Sequence, residues 1–183
     1  MKETIKFAKV LDVKSPNRNG SDLNVGVDFY VPFYSREFLV QLSEKNINNN
    51  VKAYLRNPGD EKGLRLFIEI GPNSQVNIPS GIKVILPFDK CLIAFNKSGV
   101  ATKYSMLVGA QLIDPNYRGQ IHLNLHNVSD KTVIIEEGQK IAQFAELDFY
   151  TDGFEEIEVD QYDAEEMPDD RGARGFSEGT GQF

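Results

Sequence analysis

Apolar and polar residues alternate in many short segments over the first 150 positions of the chain. Residues 51–57 and 64–70 alternate on either side of the turn 58–63, which predicts a β-hairpin. Other short segments, rich in β-branched and aromatic residues, indicate strands at 5–13, 25–32, 76–78, 82–86, 91–95, 106–113, 121–125, 133–135 and 141–147. Many short strands at this spacing predict an all-β barrel or sandwich.

One segment in this part of the chain has a helical pattern instead. Ser35 is a suitable N-cap for a short helix from residue 36 to about 46. Phe38, Leu39 and Leu42 would form its buried stripe. We therefore expect a small helix, followed by the 51–70 hairpin, inside an otherwise all-β domain.

The composition changes after Tyr150. Residues 151–170 contain ten carboxylates and no basic residue, which predicts a solvated linker with little fixed structure. Residues 171–183 are glycine-rich and carry two arginines and two phenylalanines. Arginine and glycine amides bind phosphate, and a phenylalanine ring can stack on a base. This tip is therefore either a nucleotide clamp or a flexible tail.

Composition and charge exclude some classes of function. The 183 residues carry a net charge of −7, which argues against binding along a nucleic acid but not against a small polyphosphate. No apolar run is long enough to span a membrane. The single cysteine, Cys91, lies in an apolar segment, where we expect a core residue and no disulfide. We expect a cytoplasmic protein with no membrane segment.

The stretch 112–119 contains more chemistry than a turn requires. Pro, Asn and Gly suit the turn itself, but Asp114, Tyr117 and Arg118 are not needed for it. The segment 96–99 offers a cation, a hydroxyl and a glycine amide, which suits either a phosphate site or an ordinary surface turn.

Two further groups of polar residues lie within predicted strands. Gln143 sits in an apolar strand and needs a partner for its amide. His122, Asn124 and His126 share one strand face; a metal site is conceivable there, but a polar face or a subunit contact is preferred. Together with Asp28 and Asp114, these features suit metal-assisted attack of water on a nucleotide polyphosphate.

Five segments, in order, resemble the five motifs of the trimeric dUTPases, the dUTP nucleotidohydrolases. They are residues 25–30, 96–101, 108–119, 138–144 and 171–181. The resemblance implies a β jelly roll or distorted barrel at 1–150, with a small helix plus hairpin inserted at 34–70. It also implies an acidic linker at 151–170 and a C-terminal arm at 171–183 that closes the active site.

The resemblance also implies roles for the third motif. Asp114 would be the general base that activates water, and Tyr117 would pack on the deoxyribose. Backbone groups of about 108–112 and 119–123 would read uracil, with Gln111 beside the pocket, where a glycine is common in the family. Water attack at the α-phosphorus would give dUMP and pyrophosphate.

The other motifs would handle the triphosphate and its metal in a homotrimer. Lys97, Ser98 and Gly99 would hold phosphates from a second subunit, with Gln143 nearby. Asp28 would support Mg²⁺ through water. The arm of a third subunit would place a phenylalanine over uracil and three polar residues on the γ-phosphate, namely Phe176, Arg171, Ser177 and Thr180.

The chain also departs from the family pattern. Lys97 replaces the usual arginine of the second motif, and Gln139 and Lys140 replace the usual Asp-Arg of the fourth. Small divergent members are frequent in viruses, so a phage origin fits by analogy. One alternative is a dCTP deaminase, which needs a carboxylate where Asn124 stands. Another is a dUTPase-like regulator that binds a protein partner through 34–70.

Overall fold

The computed structural model describes residues 4–20, 23–150 and 152–164, without the side chains of 163 and 164. The chain divides into two compact units, residues 1–150 and 151–183. Among the described residues, no helix is long and apolar enough to cross a membrane.

The described residues of the first unit form twelve strands and two helices. The strands are β1 (Lys6–Lys9), β2 (Val27–Tyr30), β3 (Val51–Arg56), β4 (Arg65–Ile70), β5 (Gln75–Pro79), β6 (Ile82–Ile85), β7 (Lys90–Phe95), β8 (Met106–Val108), β9 (Leu112–Ile113), β10 (His122–Asn127), β11 (Val133–Glu136) and β12 (Lys140–Asp148). The helices are α1 (Arg36–Lys45) and α2 (Ser98–Tyr104).

In the part of the chain that the structure describes, all strand pairs are antiparallel, and they form four small sheets. The sheet orders are β1-β6, β5-β10-β8, β11-β4-β3 and β2-β12-β7-β9. Alternate residues of these strands point into one apolar core, so that Leu123 and Leu125 of β10 are buried while His122, Asn124 and His126 are not fully buried. The all-β prediction is confirmed.

Helix α1 begins where the sequence predicts. Ser35 Oγ accepts a hydrogen bond from Phe38 N at 3.1 Å, the geometry of an N-cap. Phe38 and Leu42 are buried in the main core, and burial of each such side chain contributes roughly 1.5–3 kcal/mol. The helix is therefore part of the core.

The hairpin that follows is also built into the domain. Strands β3 and β4 pair from Val51 opposite Ile70 to Arg56 opposite Arg65, as the alternating pattern predicts. On its other edge β4 pairs with β11, and Leu66, Ile68 and Ile70 are fully buried. Segment 34–70 thus contributes core residues as well as surface.

Helix α2 was not predicted. The sequence at 96–101 suggests a turn leading into a strand, but Ser98–Tyr104 is helical, with Lys97 at the N-cap position. Val100 is its buried residue, and the helix ends where Ser105 adopts a left-handed conformation (φ 51°). A single buried position leaves almost no periodic signal in the sequence.

The described part of the second unit, 152–164, contains one short helix, α3 (Val159–Ala164). The exposed residues 152–162 agree with a solvated segment, but the helix is a local structure that the linker prediction did not include. The predicted arm at 171–183 lies outside the described residues.

Candidate functional site

Asp114 lies in an exposed turn between β9 and β10. Tyr117 N donates a hydrogen bond to Asp114 O at 3.1 Å, which closes the turn. The Asp114 side chain is exposed, and within 4–20, 23–150 and 152–164 it forms no ion pair. A free, accessible carboxylate at this place is able to accept a proton from water.

The aromatic ring next to Asp114 is held against the turn. Tyr117 Oη donates to Gln120 O at 2.8 Å, and the ring passes close to Gly119. A Cβ atom at Gly119 would lie 2.4 Å from Tyr117 Oη, so only glycine allows this packing. Arg118 is used locally, since its Nη1 donates to Pro115 O at 2.8 Å.

The polar face of β10 holds the chain segment just before β9. Asn124 Oδ1 accepts from Ala110 N at 3.2 Å and lies 3.1 Å from His126 Nε2. Gly109 N donates to Asn124 O at 3.0 Å, and a Cβ atom at Gly109 would lie only 1.9 Å from Asn124 Oδ1. Asn124 therefore holds the backbone here.

His122, on the same face of β10, is half-buried. Burial lowers its pKa below the usual 6.5, and the nearby Lys45 charge of α1 lowers it further. A hydrogen bond with the Gln120 backbone partly opposes these effects. The neutral imidazole is thus favoured in the folded protein.

A second polar cluster lies on β2, on β12 and at the N-cap of α2. Asp28 of β2 is 1% exposed, and its two carboxylate oxygens contact two different lysines. Lys97 Nζ contacts Oδ1, and Lys140 Nζ lies 3.1 Å from Oδ2. Lys140 Nζ also donates to Asn19 Oδ1 at 3.0 Å.

Gln143 finds the partner that its place in an apolar strand requires. It stands opposite Asp28 in the β2–β12 ladder, and its Nε2 donates to Asn96 O at 2.9 Å. Asn96 Oδ1 in turn accepts from Val108 N at 2.7 Å. Gly26 makes room for this arrangement, because a Cβ atom there would lie 2.5 Å from Gln143 Oε1.

Ser98 and Gly99 begin α2 next to Lys97. Both are exposed, and a Cβ atom at Gly99 would meet nothing within 4 Å. Neither packing nor a positive φ angle requires glycine at this position in the described chain. The space around its Cα is therefore open.

The structure keeps these two clusters apart within one chain. Ile113 pairs with Leu92 of β7, so Asp114 follows at one end of that strand while Lys97 lies beyond the other. Continued by one residue, this register sets Asp114 opposite Cys91, which is six positions before Lys97. Six positions correspond to roughly 20 Å along an extended strand. Asp28, Lys97 and Gln143 are thus together, and Asp114 and Tyr117 are elsewhere. The exposed Gln111 lies between the two groups, since its carbonyl accepts from Ala94 N at 2.9 Å, three positions before Lys97. The arm residues, Arg171, Phe176, Ser177 and Thr180, lie outside the described residues.

The described residues do not form a protein cage for a metal ion. Within them, no group of three or more His, Cys, Asp or Glu side chains is close enough to hold one. Both oxygens of Asp28 are already bonded to ammonium groups, so it does not fit as a direct ligand. A Mg²⁺ ion at this place would need phosphate oxygens and water as its ligands, as is usual for Mg²⁺ with nucleotides.

Sequence reasoning missed Lys140. The segment 137–140 looks like an ordinary turn, although a lysine stands where the resembling family has an arginine. The contact with Asp28 depends on how β12 pairs with β2, which is not a local property of the sequence.

Comparisons with known proteins identify relatives of this chain. A model of the dUTPase family matches residues 65–180. The deoxyuridine 5'-triphosphate nucleotidohydrolase of Candida albicans is 30% identical over 140 residues, which cover 69% of this chain and 86% of the relative. The Chlamydia trachomatis protein of the same name is 37% identical over 78 residues, 42% of this chain. The chain spans about half, 54%, of that relative.

A similar structure has also been solved for a mutant dUTPase of Staphylococcus bacteriophage 80alpha with dUpNHpp. Its TM-score with this chain is 0.67 at 16% sequence identity, with 96% of this chain and 97% of that chain covered. At this level of identity the likeness concerns the fold, and the jelly-roll prediction is confirmed.

Proposed function

The chain belongs to the dUTPase family, and we propose that it hydrolyses dUTP to dUMP and pyrophosphate. The observation that supports this most is the turn at Asp114, between β9 and β10. It presents an accessible carboxylate, without an ion pair among the described residues, beside a tyrosine ring that is held by a hydrogen bond and packs close to Gly119. A general base and a flat surface for a sugar are what water attack on a deoxynucleotide needs.

In the proposed reaction Asp114 takes a proton from water as the oxygen forms a bond with the α-phosphorus. The bond from that phosphorus to the bridging oxygen breaks, and pyrophosphate leaves with the electron pair. The ring of Tyr117 holds the deoxyribose, while Lys97, Ser98 and Gly99 bind the phosphates. Mg²⁺, bound through the triphosphate, would offset negative charge on the leaving group.

The active enzyme is proposed to be a homotrimer. Asp114 follows the Leu92–Ile113 pair of β7 and β9, and Lys97 lies beyond the C-terminal end of β7, so their backbones are roughly 20 Å apart by strand length. A single triphosphate extends over a shorter distance, so one chain does not supply both groups to one substrate. A neighbouring subunit that brings its own Lys97 to Asp114 would resolve this separation, and a sizing measurement that gives the trimer mass would support it.

The deaminase alternative is disfavoured by the role of Asn124. A deaminase needs a carboxylate there to activate water, but the Asn124 amide oxygen accepts a hydrogen bond from Ala110 N. An asparagine amide has no basic group for this chemistry. The geometry therefore supports hydrolysis of the phosphate chain over deamination of the base.

The proposal is tested by measuring pyrophosphate release with Mg²⁺ from dUTP, dCTP, dTTP and UTP. Strong preference for dUTP, with activity lost on chelation of the metal, supports it. Deaminated product from dCTP would favour the deaminase. Turnover of none of the four would favour a regulatory protein that uses segment 34–70 to bind a protein partner.

A further inference from the structure

The turn at residues 136–139, between β11 and β12, is closed by its own hydrogen bonds. Gln139 N donates to Glu136 O at 3.1 Å, and Glu136 N donates to Gln139 Oε1 at 3.0 Å. Gly138 has a φ of 70°, in the left-handed region that glycine adopts without strain. These contacts are enough to reverse the chain, so the turn itself does not need the side chain of Glu137.

The Glu137 side chain instead reaches segment 34–70. Its Oε2 accepts hydrogen bonds from Tyr34 N at 2.9 Å and from Leu66 N at 3.2 Å. Tyr34 comes just before the N-cap of α1, and Leu66 lies in β4 and is fully buried. A backbone N–H group that loses its acceptor inside a protein destabilises the fold there. One carboxylate oxygen therefore holds both the first residue of the segment and the strand near its end.

An ion pair with a buried arginine makes a second connection between the segment and the turn. The Arg65 side chain is 9% exposed, and its Nη2 lies 2.7 Å from Asp60 Oδ2 in the β3–β4 turn. Its Nε lies 3.0 Å from Glu136 Oε1 at the start of the 136–139 turn. Because a buried guanidinium is strongly destabilised when it loses a partner, both carboxylates stay close to it. Segment 34–70 is thus joined to this turn at two points.

The same turn sets how β12 lies on β2. The Gly138 N–H donates to Val31 O at 2.8 Å, at the end of β2. A β-bulge begins after Lys140, and the ladder beyond it places Gln143 opposite Asp28. Register is weakly determined at a bulge, so the pairing beyond it depends on how the strand enters. A shift of the turn would therefore displace the side chains that β12 brings to Asp28.

We propose that segment 34–70 holds the turn at 136–139 in place, and that Glu137 is a positioning residue for the triphosphate side of the site. The inference rests on the proposed function, which puts Gln143 near the phosphates. Glu137 does not touch the substrate in this account, because it acts through β12. Asp114 lies between β9 and β10, and these strands pair with β5, β7 and β8 and not with β4 or β11. The Asp114 turn should therefore not depend on Glu137.

The experiment compares Glu137→Ala with Glu137→Gln, and Glu61→Ala on the exposed β3–β4 turn is the matched control for loss of one glutamate. Calorimetry measures binding of a non-hydrolysable dUTP analogue and of dUMP, and pyrophosphate release gives KM and kcat for dUTP. We expect Glu137→Ala to weaken analogue binding and to raise KM about tenfold, an effect in the range for a lost hydrogen bond to a charged group. The binding of dUMP, which lacks the β- and γ-phosphates, should stay at the wild-type value, and kcat should change less than KM.

Glu137→Gln keeps an oxygen acceptor for the two N–H groups, so it should retain most of the analogue affinity. Glu61→Ala should bind both ligands as the wild-type chain does. Melting curves show whether each variant is folded at the assay temperature. Should Glu137→Ala not fold, Glu137→Asp takes its place, because its carboxylate is one methylene shorter and should not reach both N–H groups. It should show the same selective loss of analogue binding.

Two outcomes would overturn the inference. Unchanged analogue affinity in the folded alanine or aspartate variant would remove the positioning role of Glu137. Equal losses of affinity for the analogue and for dUMP would show general damage to the domain and no selective effect on the triphosphate side. Failure of the proposed function looks different, because the wild-type chain would then bind neither nucleotide or would bind without hydrolysing dUTP.

Discussion

At the scale of single residues, the two polar clusters differ in how their charges are used. Asp114 is exposed and unpaired among the described residues, so its carboxylate is available to a ligand. Asp28 is buried and has a lysine on each oxygen, so its carboxylate acts within the protein. Residue type alone does not distinguish these roles; burial and pairing do.

Replacement of Asp114 by Asn should remove the general base while keeping the shape of the turn, because the contact with Tyr117 uses the Asp114 carbonyl. We expect dUTP hydrolysis to fall by at least about 100-fold, a typical effect of losing a general base. Calorimetry should show nearly unchanged affinity for the non-hydrolysable analogue. Wild-type turnover in this variant would refute the role of Asp114.

His122 gives a prediction on the pH dependence of stability. Its pKa is lowered in the folded state, so the unfolded chain takes up the proton first as the pH falls below about 6.5. Stability from this group is complete above that pH and decreases below it. The urea midpoint should therefore fall between pH 7 and pH 5, and His122→Gln should show a smaller fall. An identical fall in both proteins would contradict the assignment.

At the scale of elements, local patterns were predictable and pairing between distant segments was not. Helix α1 was predicted because Ser35, Phe38 and Leu42 are close in sequence and their spacing is periodic. Helix α2 was missed because seven residues with one buried position carry little periodicity. The Lys140–Asp28 contact was missed because a bulge in the β2–β12 ladder creates it.

The N-cap of α1 gives a prediction at this scale. Ser35→Ala removes the acceptor for Phe38 N, and we expect the free energy of unfolding to fall by about 1 kcal/mol. Because Phe38 and Leu42 belong to the main core, the loss should appear in global urea unfolding. Ser35→Asp keeps an acceptor at the cap and should retain most of the stability. Equal losses in both variants would contradict this account, because an acceptor at the cap would then make no difference to stability.

At the scale of the whole molecule, the residues of the proposed site fall into two groups, with Asp114 near the start of β7 and Lys97 beyond its end. The five-motif resemblance predicts the site residues and their division among subunits, and these stay predictions, whereas the family match shows membership of the dUTPase family. The single chain adds a physical reason, since the β7–β9 register separates Asp114 from Lys97. The contribution of the arm at 171–183 stays a prediction, because it lies outside the described residues.

The central claim is that one dUTP molecule is hydrolysed by Asp114 of one subunit and Lys97 of another. Asp114→Asn and Lys97→Met should each be nearly inactive alone. When the two variants are co-expressed in equal amounts and purified as mixed trimers, roughly a quarter of the sites would combine an intact Asp114 with an intact Lys97. We predict dUTP hydrolysis at roughly that fraction of the wild-type rate. Mixed trimers that are as inactive as the two parents would contradict the claim.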